Sequence, residues 1–440
     1  MLNSINKLAE EFLKITKPVR IISHHDTDGI TSAAILATAL KRLDKKFSIR
    51  IVKGLDKNII ETELKRQNKE LLFFSDLGSS NLDNFNNLQE EIFILDHHEI
   101  NKEKLNKKIK IINPHLFNEE EVCGAGLSYL FAKALSPENK DLAKLAIIGM
   151  VGDRHDSNIS KINQQIIKDT KDLITKKGLL IYPATRPLKK ALEYSTSPYI
   201  PGVTGEPLGA LDLLREISIA PNKCLNELTE EEMSRLITAI MLRINKPGKE
   251  QEILGNLYLL KFFNTKEDTR ELSVLINACS RLGYHDTALA FCMENEKAKS
   301  RALDIYTEYK QQLISALKTI EKIEKIQGNG FVIMNAKNEI KDTIIGTVTS
   351  ILSSGINYEE GTILIGMAYS QDKVKVSARI VGKHGRNLKE VLEKTITLFK
   401  NNNVEVGGHK KAAGCLIEKE QEQEFIQALK ENLEIEIVKI

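Results

Sequence analysis

Through about the first 185 residues the chain repeats one unit: a short apolar run, a polar break, then a stretch with helical periodicity. The apolar runs are VRIISH (19–24), FSIRIVK (47–53), LLFFSD (71–76), EIFILDHH (91–98) and KIINPH (110–115). The helical stretches fall at 31–43, 58–68, 125–135 and 141–152. Runs this short and this continuously apolar read as strands buried on both faces, with the helices as their covers. The pattern predicts an α/β fold with a parallel sheet, whose ligand site lies beyond the carboxyl ends of the strands.

Proline and glycine then cluster in STSPYIPGVTGEPLGA (195–210). Residues 210–325 read as almost all helix, ending in a long polar helix at roughly 296–326. From GFVIMNA (330–336) onward, GTILIGMAYS, KVKVSARIVG and a terminal helix predict a smaller α/β domain. The expected division is 1–190 for a catalytic domain, 191–325 for a helical insertion with a connecting helix, and 326–440 for a C-terminal domain. A length of 440 residues fits two or three domains. No internal repeat or low-complexity tract interrupts it.

Carboxylates and imidazoles gather where the predicted strands stop. The first strand leads into His24, His25, Asp26 and Asp28; the third into Asp76; the fourth into Asp96, His97 and His98. Asp153 follows a later apolar helical run, and six of the nine histidines lie within residues 24–155. Carboxylates crowded at one sheet edge repel one another and move upward in pKa, a penalty that a divalent cation removes. Mixed Asp and His donors suit Mn²⁺, Zn²⁺ or Fe²⁺, with Mg²⁺ tolerated where carboxylates predominate. If His24-x-Asp26-x-Asp28 stays extended, its period of two puts all three side chains on one side. One segment would then reach two metals, the clamp of ~3.5–4 Å used for phosphoryl displacement. Taken singly, each residue has a plainer role as a helix cap, turn or surface residue; the ordered set points to a metal site.

A second cluster lies near the C-terminus, in GGHKKAAG (407–414) and SARIVGKHGRNL (377–388). Gly407 and Gly408 would let backbone N–H groups approach a ligand, and a following helix N-terminus would favour an anion. The alternative is a glycine turn carrying solvated charges.

Taken together, SHHDTDGITSAAI, ILDHHE and GMVGDRHD resemble the motifs of the DHH phosphoesterase superfamily, in order and across the N-terminal domain. The resemblance implies two divalent metal ions, Mn²⁺ first and Mg²⁺ as the alternative. His24 and Asp26 would hold one ion, Asp28, His97 and Asp153 the other, and Asp76 would bridge them. Asp96 would orient a histidine and His98 would face the scissile phosphate; His25 takes no ligand role. GGHKKAAG resembles the signature of the DHH-associated C-terminal domain, which implies that Arg379, Gly407, Gly408 and His409 grip substrate phosphate and sugar. Lys383 and Arg386 are candidate backbone-phosphate contacts beside them.

YIPGVTGEPLGALDLLREI, at the junction, looks like archaeal RecJ-like exonucleases, relatives of bacterial RecJ and of a eukaryotic replicative-helicase component. That likeness implies hydrolysis at the ends of single-stranded nucleic acid: 5′→3′ on single-stranded DNA, with RNA as a second substrate, in replication or repair. A helical insertion that docks the GINS complex is implied as well. The alternatives are a phosphodiesterase for short oligoribonucleotides or cyclic dinucleotides, and a non-catalytic replisome scaffold.

Bulk properties bound these expectations. The net charge is only +3, so a polyanion must be held by local clusters. The five cysteines are scattered without a CxxC pair, which fits a reducing compartment and argues against a thiolate zinc site. The N-terminus is charged and amphipathic, unlike a signal peptide, and no apolar run approaches the ~20 residues of a membrane span. The expectation is a soluble cytoplasmic protein without membrane contact. Aromatic residues make up 5% with no Trp, so no long stacking platform for single strands is visible.

Overall fold

The computed structural model describes all residues except 86–87, 118–120, 157–158, 196–197, 245–252, 356–357, 383, 399–403, 405 and 436–440. The chain runs α1 (Leu2–Leu13), β1 (Val19–His24), α2 (Thr27–Arg42), β2 (Phe47–Val52), α3 (Lys57–Leu64), β3 (Leu71–Ser75), β4 (Ile92–Leu95) and β5 (Ile109–Ile112). Then come α4 (Gly124–Leu135), α5 (Ala143–Gly152), α6 (Lys161–Asp169) and β6 (Ile174–Leu179). The predicted strands are all present, paired parallel in the order β2-β1-β3-β4-β5. Successive phenylalanines show how both faces are buried. Phe73 meets Phe12 of α1 and Phe131 of α4 on one face, while Phe74 meets Phe85 on the other. The chain departs to opposite sides from β1 and β3, which makes the crevice at their carboxyl ends the natural ligand site.

Past β6 lie α7 (Leu188–Glu193), α8 (Pro207–Glu216) and α9 (Glu230–Ile244). The stretch expected to be helical to residue 325 then breaks into a β-hairpin, β7 (Leu254–Phe262) and β8 (Thr265–Asp268). Its turn puts Phe263 and Asn264 at φ 47° and 59°, with Phe262 opposite Thr265. Two left-handed residues make a primed hairpin turn, usually signalled by Asn-Gly or Asp-Gly. Phenylalanine at the first position hides that signal, and the apolar run before it reads equally well as helix.

The hairpin leads into α10 (Thr269–Arg281), α11 (His285–Cys292) and the long α12 (Glu296–Lys322). Residues Gly255–Thr307 belong to one compact unit with Met1–Gly178 and Tyr182–Thr185. The first unit thus reclaims a segment that the sequence division assigned to the insertion. The ties are specific. Thr27 Oγ1 donates to Ser273 O at 2.7 Å, Arg270 pairs with Asp156 at 2.6 Å, and Lys144 pairs with Glu294. Thr27 lies between Asp26 and Asp28, so α10 supports the HHDTDG segment from behind.

The second unit comprises Leu179–Ile181, Arg186–Leu254 and Glu308–Ile440. Its sheet is formed by β9 (Lys325–Gly328), β10 (Phe331–Asn335), β11 (Ile363–Ser370), β12 (Lys373–Ile380), β13 (Gly407–His409) and β14 (Ala412–Glu418). The order is β13-β14-β12-β11-β10-β9, with α13 (Asp342–Ser354), α14 (Leu388–Leu398) and α15 (Glu422–Ile435) as its helices. Among the described residues no helix is long and apolar enough to cross a membrane.

Candidate metal centre

The HHDTDG segment does not stay extended. His24 ends β1, and Asp26 becomes the N-cap of α2, accepting from the Gly29 amide at 3.0 Å. Asp28 therefore lies in the first helical turn. Local capping wins because Asp26 satisfies an amide that the helix start would otherwise leave open. Asp28 instead turns toward the start of α4, where its two oxygens accept from Gly124 N at 2.6 Å and Ala125 N at 2.9 Å. A helix N-terminus is a favourable place for a carboxylate.

Asp76 follows β3 with φ 58°, its amide donating to Leu95 O of the neighbouring strand. His24 Nδ1 lies 2.9 Å from Asp26 Oδ2 and 3.6 Å from Asp76 Oδ2. His97 Nε2 lies 3.3 Å from Asp76 Oδ1, 3.6 Å from Asp153 Oδ2 and 3.7 Å from Asp28 Oδ2. The tertiary structure thus gathers His24, Asp26, Asp28, Asp76, His97 and Asp153 at one edge. Three sets of donors lie within 4.8 Å of one another: His24, Asp26 and Asp76; Asp76, His97 and His98; His97, Asp153 and His155. Asp76 and His97 each belong to two of the sets. His155, which the sequence reading passed over, arrives beside Asp153, with Nε2 3.2 Å from Asp153 Oδ2.

Asp96 sits fully buried behind this row and orients His98, not His97. Its Oδ1 meets His98 Nδ1 at 2.7 Å and accepts from His97 N at 2.8 Å, while Oδ2 accepts from Ser79 N at 2.8 Å. Asn113 closes the support, donating to His98 O and to Ser79 Oγ. His98 keeps 47% of its side chain exposed, so its other nitrogen is free to meet a ligand.

The donor set fits divalent cations. Both oxygens of Asp76, His97 Nε2 and His24 Nδ1 are buried with no partner in hydrogen-bonding geometry among the described residues. Buried polar atoms are normally paired, and such orphans call for a ligand. The charges agree. Burial pushes the Asp28 carboxyl well up, and the charges of Asp76 and Asp153 add to it. Burial raises Asp153 too, against the pull of His97 and His155. For His97, burial opposes the charged form, but Asp76, Asp28 and Asp153 outweigh it and hold the imidazolium up to about 10. Burial and the neighbouring His24 lower His25 to about 3, so it stays neutral.

A pH dependence follows. Without metal, His97 is protonated at neutral pH and Asp28 and Asp153 retain protons above the usual carboxylate range, whereas a bound cation needs all three deprotonated. Manganese binding should release protons at pH 7, and affinity should weaken as pH falls, by roughly tenfold per unit for each proton displaced. Calorimetric titration in buffers of different ionisation heat measures this; a proton count of zero would contradict the arrangement.

In the second unit, Arg379 of β12 pairs with Ala412, which pairs with His409. Directly opposed residues share a sheet face, so Arg379 and His409 stand on one side. Arg379 Nε donates to Ser350 Oγ at 2.8 Å. GGHKKAAG is a β-hairpin, and the glycine-loop-to-helix arrangement expected from sequence is not formed. Gly407–His409 pair with Ala412–Gly414, and α15 begins only at Glu422. Gly408 has φ 121°, and a Cβ there would stand 2.3 Å from Ala412 O, so the close strand crossing requires glycine. Arg386 is used structurally: it donates to Leu433 O and Asn432 O, carbonyls near the end of α15. The partial negative charge of a helix C-terminus attracts it there. Lys383 lies outside the described residues.

Sheet and site together define an α/β protein with a candidate divalent-cation centre at the switch point of its strands. Residues 18–150 match the DHH family N-terminal domain, 182–257 the DHH-CID domain and 327–434 the DHHA1 domain. An uncharacterised protein of Methanocaldococcus jannaschii is 31% identical over 438 residues, covering 96% of this chain and 95% of the relative. The chain belongs to the DHH family. In fold it is similar to CDC45 from Entamoeba histolytica, with TM-score 0.70 and 12% identity over 98% of this chain and 99% of that one. RecJ from Thermus thermophilus, solved in complex with Mn²⁺, gives TM-score 0.58 and 18% identity over 97% of this chain. The match spans 54% of that RecJ, about half its length.

Proposed function

We propose that the protein is a metal-dependent exonuclease that hydrolyses phosphodiester bonds at the ends of single-stranded nucleic acid, acting 5′→3′ on DNA and also accepting RNA. The observation that carries this reading is Asp76, buried, with both oxygens unsatisfied between the His24–Asp26 pair and His97. His24, Asp26 and Asp76 would hold one cation, and Asp76, Asp28, His97 and Asp153 a second. Bound there, two divalent cations supply Lewis-acid polarisation of the phosphate and lower the pKa of the attacking water.

The chain's own groups do the rest. Asp96 fixes His98 through Nδ1 and raises its pKa against the opposing effect of burial. The raised pKa favours the charged form, in which His98 would present an N–H donor to a phosphate oxygen as negative charge builds on it. Asp76, shared between the two donor sets, would fix where the attacking water sits by holding both cations. Arg379, Gly407, Gly408 and His409 would hold substrate phosphate and sugar in the second unit. The DHH-CID segment would dock a replisome partner such as GINS, a point that co-purification addresses.

The likeness to CDC45 raises a scaffold reading, but a scaffold has no use for a filled donor set, and every ligand position is occupied by Asp or His here. The experiment is a time course on single-stranded DNA and RNA labelled at the 5′ or 3′ end, with Mn²⁺ or with EDTA. Metal-dependent release of mononucleotides is expected, the 5′ label leaving first from DNA. A preference for two-to-five-mers would favour an oligonucleotide phosphodiesterase. No cleavage of any strand by folded, Mn²⁺-binding protein would favour the scaffold.

A further inference from the structure

Helix α5 ends in a left-handed turn. Asp153 is its C-cap, and the next residue, Arg154, has φ 60°. Glycine is the ordinary occupant of a left-handed helix end, though other residues take it too. The turn is held by His155 N donating to Met150 O at 2.9 Å and Arg154 N to Val151 O at 3.3 Å. Its product is the return of His155 to the side of Asp153.

The placement is specific. Asp153 Oδ2 lies 3.2 Å from His155 Nε2 and 3.6 Å from His97 Nε2. The His97 and His155 rings meet edge-on with centroids 5.6 Å apart. Adjacent ligands on an ion with bonds of about 2.1 Å stand about 3 Å apart, the spacing found here. His155 is 13% exposed, and its Nδ1 is buried without a hydrogen-bond partner among the described residues. Its one other charged neighbour in ion-pair range among the described residues is Glu121, at 3.7 Å from Nε2 and 80% exposed. So exposed a carboxylate contributes little.

We propose that His155 is a further ligand of the cation on the Asp153 side, and that it gives this half of the centre a preference for a transition ion over Mg²⁺. The proposal rests on the two-cation reading above. Two imidazoles, from His97 and His155, would serve this half, against the single imidazole of His24 on the other. Imidazole strengthens binding of Mn²⁺, Fe²⁺ and Zn²⁺ more than that of Mg²⁺, which favours oxygen donors.

The test is metal binding by the full chain, titrated with MnCl₂ and separately with MgCl₂. Pulsed electron paramagnetic resonance of the Mn²⁺ form counts coupled imidazole nitrogens, with ¹⁵N-histidine labelling to assign them. Wild type should take up two Mn²⁺ and show nitrogens from His24, His97 and His155. In His155→Ala and the volume-filling His155→Leu, affinity for one Mn²⁺ should fall by about 10–100-fold, Mg²⁺ affinity should change much less, and one nitrogen coupling should vanish. Melting curves in EDTA check that both variants are folded, and the wild-type nitrogen count needs no variant. Normal Mn²⁺ uptake with only the His24 and His97 nitrogens coupled would overturn the ligand role while leaving the centre intact. Equal losses of Mn²⁺ and Mg²⁺ affinity with no change in coupling would reduce His155 to a support for Asp153. No Mn²⁺ uptake by wild type would remove the two-cation reading itself.

Discussion

Asp76→Asn should abolish hydrolysis, by roughly 10³-fold or more, and should leave the metal-free protein folded with stability close to wild type. Asp76 is 1% exposed, with both oxygens orphaned between two donor sets. An amide keeps the shape but offers one weak neutral oxygen where two anionic ones are needed. Asparagine also tolerates the left-handed backbone at φ 58°, which alanine would strain. The metal-free protein feels two opposed changes: Asp76 repels Asp28 but attracts the His97 imidazolium, so neutralising it should leave stability in EDTA close to wild type. Melting curves with and without Mn²⁺ read the difference: wild type should gain stability from the ion, and the variant should gain little. Full activity in Asp76→Asn would sink the assignment of Asp76 as the shared ligand.

The second large effect is expected from a single methyl group. In Gly124→Ala the new Cβ would stand 2.6 Å from Asp76 Cβ and 2.8 Å from its Oδ1, closer than real atoms approach. Gly124 also donates its amide to Asp28 at 2.6 Å, so moving the start of α4 disturbs two carboxylates at once. Intrinsic propensity acts the other way, since alanine in a helix is favoured over glycine by up to ~1 kcal/mol. If the clash dominates, as these distances require, Mn²⁺ affinity falls and hydrolysis drops about 100-fold, the usual cost of a 1 Å misplacement. If propensity dominates, the variant is more stable and fully active, and the packing of α4 against Asp76 is refuted.

The α/β class, the parallel sheet and most of the donor set were legible in the sequence, because each rests on local information. A strand buried on both faces has to be apolar throughout, and its end must turn polar. Asp26, Asp76, Asp96, His97 and His98 announced themselves at those ends, and Asp153 at the end of an apolar helical run. What was misread lay where local signals were ambiguous or absent. The β7–β8 hairpin lacked its usual turn residues, and HHDTDG was compatible both with an extended run and with the cap that Asp26 makes on α2. GGHKKAAG left a ligand-approaching loop and a glycine turn both open, because paired glycines do not reveal whether the next residues continue as a strand or a helix. His155 was overlooked because its approach to Asp153 depends on a left-handed arginine, a conformation that the residue type disfavours.

The sequence by itself therefore determined which elements form and which side chains stand at their ends, since capping and hydrophobic periodicity act over a few residues. The tertiary structure alone decided who meets whom. Asp28 is held by amides nearly a hundred residues away, at Gly124 and Ala125. The support behind HHDTDG comes from Ser273. Arg386 is drawn to the carbonyls of Asn432 and Leu433. Such partnerships are set by strand order and helix packing, which bring distant segments together only once the whole core has closed.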